Sequence, residues 1–126
     1  MSRDETWPTE WPHVVVARGL GDVERAVARG LATMVLLSPP YAASWGGVGW
    51  WRALADAARQ RFPGRIAADV LDCGEAAGLA LAAIRMGQGA LILRASAAGR
   101  AHVVAIAAAA GVTLLCVPPR PPALAP

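Results

Sequence analysis

Four glycines in this chain each precede a short apolar run, and the pattern repeats along its length. Glycine tolerates the left-handed backbone that ends a helix, and short apolar runs bounded by turn residues are typical of buried strands. With an opening strand at 14–17, these four joints predict five strands and four helices that alternate along the chain. The joints are Gly30 before 34–37, Gly64 before 66–68, Gly87 or Gly89 before 91–93, and Gly111 before 113–117.

Regular alternation of strands and helices predicts an α/β domain built on a single open, mainly parallel sheet. Right-handed crossovers are nearly obligatory between parallel strands, and five strands are too few to close an eight-stranded barrel. We therefore expect the flavodoxin-like strand order 2-1-3-4-5, with a partial (β/α) barrel as the alternative. The α/β domain is predicted to span 13–117, between an extended Trp/Pro arm at 1–12 and a Pro-rich tail at 118–126.

Two predicted helices, 76–86 and 97–110, carry almost no polar side chains. A helix that is apolar around its whole circumference needs cover on more than its sheet-facing side. The flavodoxin-like order would also leave one sheet face partly bare beside the last three strands. We expect a second copy of the chain, or the arm with Trp7 and Trp11, to provide this cover. The protein is therefore predicted to be a homo-oligomer.

The composition narrows the possible activities and partners. The chain contains no lysine, which argues against Schiff-base catalysis, a P-loop and lysine-dependent phosphotransfer. The net charge is +3, but the arginines are scattered, so no nucleic-acid partner is expected. The two cysteines form no CxxC motif, which fits a cytoplasmic location and no metal site. No leader or membrane-spanning segment is predicted, and the GC-rich codon usage implied by this composition is typical of many bacteria.

The candidate site lies where the strands of a doubly wound sheet end, because ligands of such sheets bind at this edge. Arginine and serine side chains there suit a phosphate or a carboxylate, and an aspartate suits a hydroxyl or a proton. The third strand either ends at Ala68 or continues through Leu71, which decides which aspartate lies at the edge. The candidate ligand-binding residues are Arg18, Ser38, Asp69, Asp72, Arg94 and Ser96.

A purely structural role is the alternative for these residues, since position in a fold does not by itself establish a site. Arg94 would then only pair with Asp69 or Asp72 across neighbouring strands. Cys73 also has two interpretations. A thiol beside a helix amino terminus can be nucleophilic, but no histidine lies in the adjacent loops, so a buried and inert cysteine is favoured.

Two patterns resemble known families. Residues 82–93 are similar to the helix-glycine-strand repeats of KDPG aldolases and thiamine phosphate synthases, which are full barrels with longer chains. The layout of Asp72, Ser96 and the joint at 117–118, together with the Gly-Leu pair at 78–79, resembles that of response-regulator receiver domains. Aldolase and receiver chemistry both require a lysine that this chain lacks. Neither resemblance therefore implies an activity.

Two functions remain open. The sequence identifies no acid, base and nucleophile that meet in space, which favours a non-catalytic interaction or scaffold subunit. The alternative is a binder or enzyme for a small anionic metabolite at the carboxyl edge of the sheet. The first function predicts that Arg94 and Asp72 pair with each other without a cavity, and the second predicts a concave pocket beside them. No cofactor is indicated, and whether the protein is an enzyme stays open.

Overall fold

The computed structural model describes residue 8 and residues 10–118, so Trp7 and most of the predicted tail lie outside the described residues. Strands and helices alternate through this part of the chain, as the glycine joints predict. The elements are β1 (Val14–Val16), α1 (Leu20–Ala28), β2 (Met34–Leu37), α2 (Ala42–Trp45), α3 (Val48–Arg61), β3 (Ile66–Asp72), α4 (Ala77–Arg85), β4 (Ala90–Ile92), α5 (Arg100–Ala110) and β5 (Thr113–Leu115).

The five strands form one open sheet in which every pairing is parallel, so the predicted α/β class is confirmed. All four predicted joints contain a glycine with positive φ, and Gly87 takes this role instead of Gly89. Strand β3 continues to Asp72, which is the longer of the two predicted alternatives. The short helix α2 was not predicted, and it lies inside the long connection that follows β2.

The strand order is β1-β2-β3-β4-β5, so the predicted flavodoxin-like order 2-1-3-4-5 is wrong. A sequential order with right-handed crossovers places all crossover helices on one face of the sheet. Sequential order is also the order of strands in (β/α) barrels, the predicted alternative architecture. The prediction failed because both faces of the strands are apolar, and such strands are compatible with helices on either side.

The helices pack on one sheet face and form the main core. Trp51 of α3 is fully buried there, with Met34 and Leu36 of β2 and Leu71 of β3. Alanines and valines of the other long helices complete this cluster, which allows the helices to approach the strands closely. The chain therefore buries its largest side chain, a tryptophan, between α3 and the centre of the sheet.

The opposite sheet face carries a smaller apolar cluster that contains no helical residue. Val35, Val70 and Ile92 are fully buried in it, and Trp11 packs against it. Thus Trp11 lies on the face that the helices leave uncovered. None of the helices in residues 10–118 has the length and apolarity needed to cross a membrane.

Candidate functional site

Three predicted site residues meet at the carboxyl ends of β2, β3 and β4. Ser38 follows β2, Asp72 ends β3, and Arg94 lies two residues after β4. Arg94 Nη2 donates to Asp72 Oδ2 at 3.1 Å, and the Asp72 backbone N–H donates to Ser38 Oγ at 2.9 Å. The structure therefore brings half of the predicted residues together, and Arg94 pairs with Asp72 as the interaction-subunit interpretation predicts.

Backbone contacts fix this group. The Ser38 N–H donates to the Val70 carbonyl, which continues the β2–β3 ladder one residue beyond β2. The Ser38 hydroxyl donates to the Pro39 carbonyl while it accepts from Asp72. Asp72 Oδ1 accepts from the Gly74 N–H at 2.8 Å. Because Asp72 is buried and both of its carboxylate oxygens accept hydrogen bonds, its orientation is well defined.

Tyr41 belongs to this site although it was not among the predicted ligand-binding residues. Its φ is 58°, which is uncommon for a residue other than glycine and marks a strained position. The Tyr41 ring covers the Arg94 guanidinium, with 5.2 Å from Cζ to the ring centroid. The sequence signal for Tyr41 is its position, three residues after Ser38 in the aromatic connection that follows β2 at the carboxyl edge.

The Arg94 guanidinium has one nitrogen without an acceptor. Nη2 binds Asp72 and the ring of Tyr41 lies over the planar face, but Nη1 is buried and has no hydrogen-bond partner among the described residues. An unsatisfied buried donor costs free energy, and more so when it is charged. An acceptor atom that reached Nη1 would remove this cost.

Ser96 and Arg18 lie outside this group. The Ser96 hydroxyl donates to Glu75 Oε1 at 2.5 Å on the exposed rim of the same sheet edge. Arg18 follows β1, which β2 separates from β3, and its exposed side chain pairs with Asp22. The Arg18 N–H donates to Asp22 in the first turn of α1 and lowers the pKa of that carboxyl to about 2. In the predicted order 2-1-3-4-5, β1 lies beside β3, and Arg18 would then follow a strand next to β3. The observed order places β2 between these two strands.

Asp69 does not lie at the carboxyl edge, because β3 continues three residues beyond it. Its side chain faces α3 instead. Asp69 Oδ2 accepts from Trp51 Nε1 at 2.9 Å, Arg52 Nη1 at 2.8 Å and Gln88 Nε2 at 2.9 Å. Asp69 Oδ1 pairs with Arg59 Nη1 at 2.7 Å. Asp69 is thus a buried anion that ties α3 to the sheet.

Arg52 stays fully charged in this network. Burial lowers the pKa of Arg52, but the charges of Asp69 and Asp56 and their hydrogen bonds outweigh burial, so its pKa is raised. Arg52 also donates to Gln88 Oε1 at 2.7 Å, which links the segment before β4 to α3. Asp69, Arg52 and Gln88 therefore form a connected polar network between α3, β3 and β4.

Cys73 is placed as a core residue. Cys73 is fully buried. Burial, and to a smaller extent the nearby charge of Asp72, raises the pKa of its thiol to about 12. Helix α4 begins only at Ala77, so no helix amino terminus lowers that pKa. Cys73 is therefore protonated at neutral pH and is not an available nucleophile.

The described residues at this edge form hydrogen bonds and one ion pair with each other. Ser38 and Asp72 are buried and engaged, Cys73 is protonated, and no group of three His, Cys, Asp or Glu side chains in 10–118 could hold a metal ion. Arg94 is the cation of this group, and Asp72 is its partner. No protein family model matches the chain, and no curated protein is significantly similar to it.

Proposed function

We propose that the protein is a non-catalytic binding protein for a small anionic molecule, and that Arg94 receives its phosphate or carboxylate group. The buried Arg94 Nη1, which has no acceptor among the described residues, is the observation that carries this proposal. Charge-assisted hydrogen bonds to a guanidinium are among the stronger polar contacts in proteins. An anionic oxygen is the acceptor that best complements this nitrogen.

Tyr41 controls access to Arg94 in this proposal. Its ring covers the guanidinium, but the side chain is itself exposed and its backbone is strained. Rotation of the ring away from Arg94 would open the guanidinium to a ligand. Asp72 would hold Arg94 in place through its ion pair, and the Ser38 hydroxyl would hold the Asp72 backbone.

A thermal-shift screen with phosphorylated sugars, nucleotides and dicarboxylates tests the proposal, followed by calorimetric titration of each compound that raises Tm. We expect Arg94→Gln to weaken binding by about 10- to 100-fold, because charged hydrogen bonds are lost. Glutamine can still donate to Asp72, which keeps the buried carboxylate satisfied. Arg29→Gln, an exposed arginine at the end of α1, is the control and should bind normally. Absence of any shift across the panel, or equal loss in both variants, would contradict the proposal.

A second candidate function is that of an oligomeric interaction subunit, and the outer face of α5 supports it. Val104 and Ile106 are each 38% exposed, on the two opposite flanks of the last helix that the structure describes. The surrounding residues of α5 are mainly alanines, so another helix could approach closely. Sedimentation velocity at micromolar concentration tests this function. A monomer that Ile106→Glu leaves unchanged would exclude α5 as an assembly surface.

A cytoplasmic location belongs to the same proposal. Cys73 is a free and fully buried cysteine. Free thiols are typical of proteins in reducing compartments.

A further inference from the structure

A concave surface lies at the opposite, amino-terminal edge of the sheet. It is a cleft of about 490 Å³, within the range of about 300–1,000 Å³ that is typical of small-molecule sites. Helix α3 lines one side with Arg52, Asp56 and Arg59, and Trp11 contributes to the lining. Residues of β3 and the segment before β4 complete the cleft. None of the candidate residues at the carboxyl edge lines it, so it is a separate site.

The cleft exists because β3 and β4 have unequal lengths. β3 begins at Ile66, but its ladder with β4 begins only at the Leu71–Leu91 pair. Gln88 occupies the base of the gap, where its Nε2 donates to the carbonyl oxygens of Asp69 at 3.0 Å and Ala90 at 2.8 Å. The lining above Gln88 consists of small residues, which leave space for a ligand. They are Ala67, Ala68, Gly87, Gly89 and Ala90.

Two charged side chains of the cleft, those of Arg59 and Asp56, each form an ion pair within the protein through only one of their terminal atoms. Asp69 and Arg52 are largely buried and bind each other. Arg59 is 38% exposed, and its ion pair with Asp69 uses only Nη1. Asp56 is 61% exposed, and its one contact, to Arg52, uses only Oδ1. The cleft therefore offers guanidinium donors and a carboxylate oxygen, one turn apart on α3.

We infer that this cleft binds a zwitterionic α-amino acid with an apolar side chain. Arg59 receives the carboxylate and Asp56 receives the ammonium group. The side chain lies on Ala67 and Ala68 beside Trp11. The two cations and two anions of the lining balance each other, so a ligand with both charges and no net charge is the best electrostatic match. This inference goes beyond the proposed function, because it concerns the other edge of the sheet.

Calorimetric titration of the full chain with L-phenylalanine tests the inference, together with two probes that each lack one charge. We expect 3-phenylpropionate and 2-phenylethylamine to bind about 10-fold or more weakly than phenylalanine, since each loses a charged hydrogen bond. Arg59→Gln should weaken phenylalanine and phenylpropionate, and Asp56→Asn should weaken phenylalanine and phenylethylamine. The control is Arg61→Gln, because Arg61 lies on α3 but pairs with Glu24 outside the cleft.

Arg59→Gln removes one partner of the buried Asp69, so a second variant tests the site without changing a charge. Ala67→Trp places a large side chain in the cleft, and circular dichroism checks its fold. We expect it to abolish phenylalanine binding, while Arg94→Gln leaves binding unchanged. The inference is wrong if phenylalanine does not bind saturably, if phenylpropionate binds as tightly, or if folded Ala67→Trp binds normally. Loss of binding in Arg94→Gln would also overturn it, by assigning the ligand to the carboxyl edge.

Discussion

Replacing Asp69 with alanine is expected to lower the free energy of unfolding by about 3–5 kcal/mol, the usual cost of breaking a buried ion pair by removing one partner. The carboxylate accepts from Trp51 Nε1, Gln88 Nε2 and two arginines. Trp51 and Gln88 are almost fully buried, so water cannot replace the lost acceptor without rearrangement. Urea denaturation of the wild type and the variant, followed by tryptophan fluorescence, measures this difference.

The matched control for this prediction is Asp56→Ala. Asp56 also pairs with Arg52, but its side chain is 61% exposed, so we expect a loss of only about 0.3–0.5 kcal/mol. Asp69→Asn should fall between the two variants, because the amide still accepts hydrogen bonds but does not balance Arg52 and Arg59. A loss for Asp69→Ala as small as that for Asp56→Ala would mean that the buried network does not stabilise the fold.

The secondary structure could be predicted because its signals are local. A glycine at the end of a helical pattern can adopt a positive φ and end the helix, and an apolar run of a few residues fits a buried strand. Gly30, Gly64 and Gly111 all have the expected backbone conformation. The short helix α2 lacked such a signal, since its N-cap is Tyr41 in a left-handed conformation.

The strand order could not be predicted because it depends on the side of the sheet on which each crossover passes. Val35 and Leu37 face away from the helices and are buried, as are Met34 and Leu36, which face them. A strand that is apolar on both faces gives no local information about which face the helices cover. The error then extended to the site, because it placed Arg18 beside β3.

The sequence could predict only those residues of the site whose positions depend on where a strand ends. Ser38, Asp72 and Arg94 follow directly from the carboxyl ends of neighbouring parallel strands. The role of Asp69 depends on where β3 ends and on contacts with α3 and Gln88, which are distant in sequence. The amino-terminal cleft depends on a mismatch in strand length, which only the ladder between β3 and β4 reveals.

Replacing Gly74 with alanine is expected to lower the free energy of unfolding by about 2–5 kcal/mol, through two separate costs. The φ of Gly74 is +60°, and an alanine there costs about 1–2 kcal/mol. A Cβ at this position would also overlap Cδ1 of Tyr41, and displacing the ring to relieve such a clash typically costs about 1–3 kcal/mol. Chemical denaturation of the two proteins measures the sum.

Gly64→Ala separates the two costs. The φ of Gly64 is +78°, but no atom lies within 4 Å of the Cβ position, so this variant should lose only the conformational part. In a Tyr41→Ala background, Gly74→Ala should then cost about as much as Gly64→Ala, which corresponds to a coupling of about 1–3 kcal/mol between positions 41 and 74. Additive losses would instead show that Tyr41 does not rest on Gly74 in solution. The ring would then not cover Arg94, and an anionic ligand would reach Arg94 without any rotation of Tyr41.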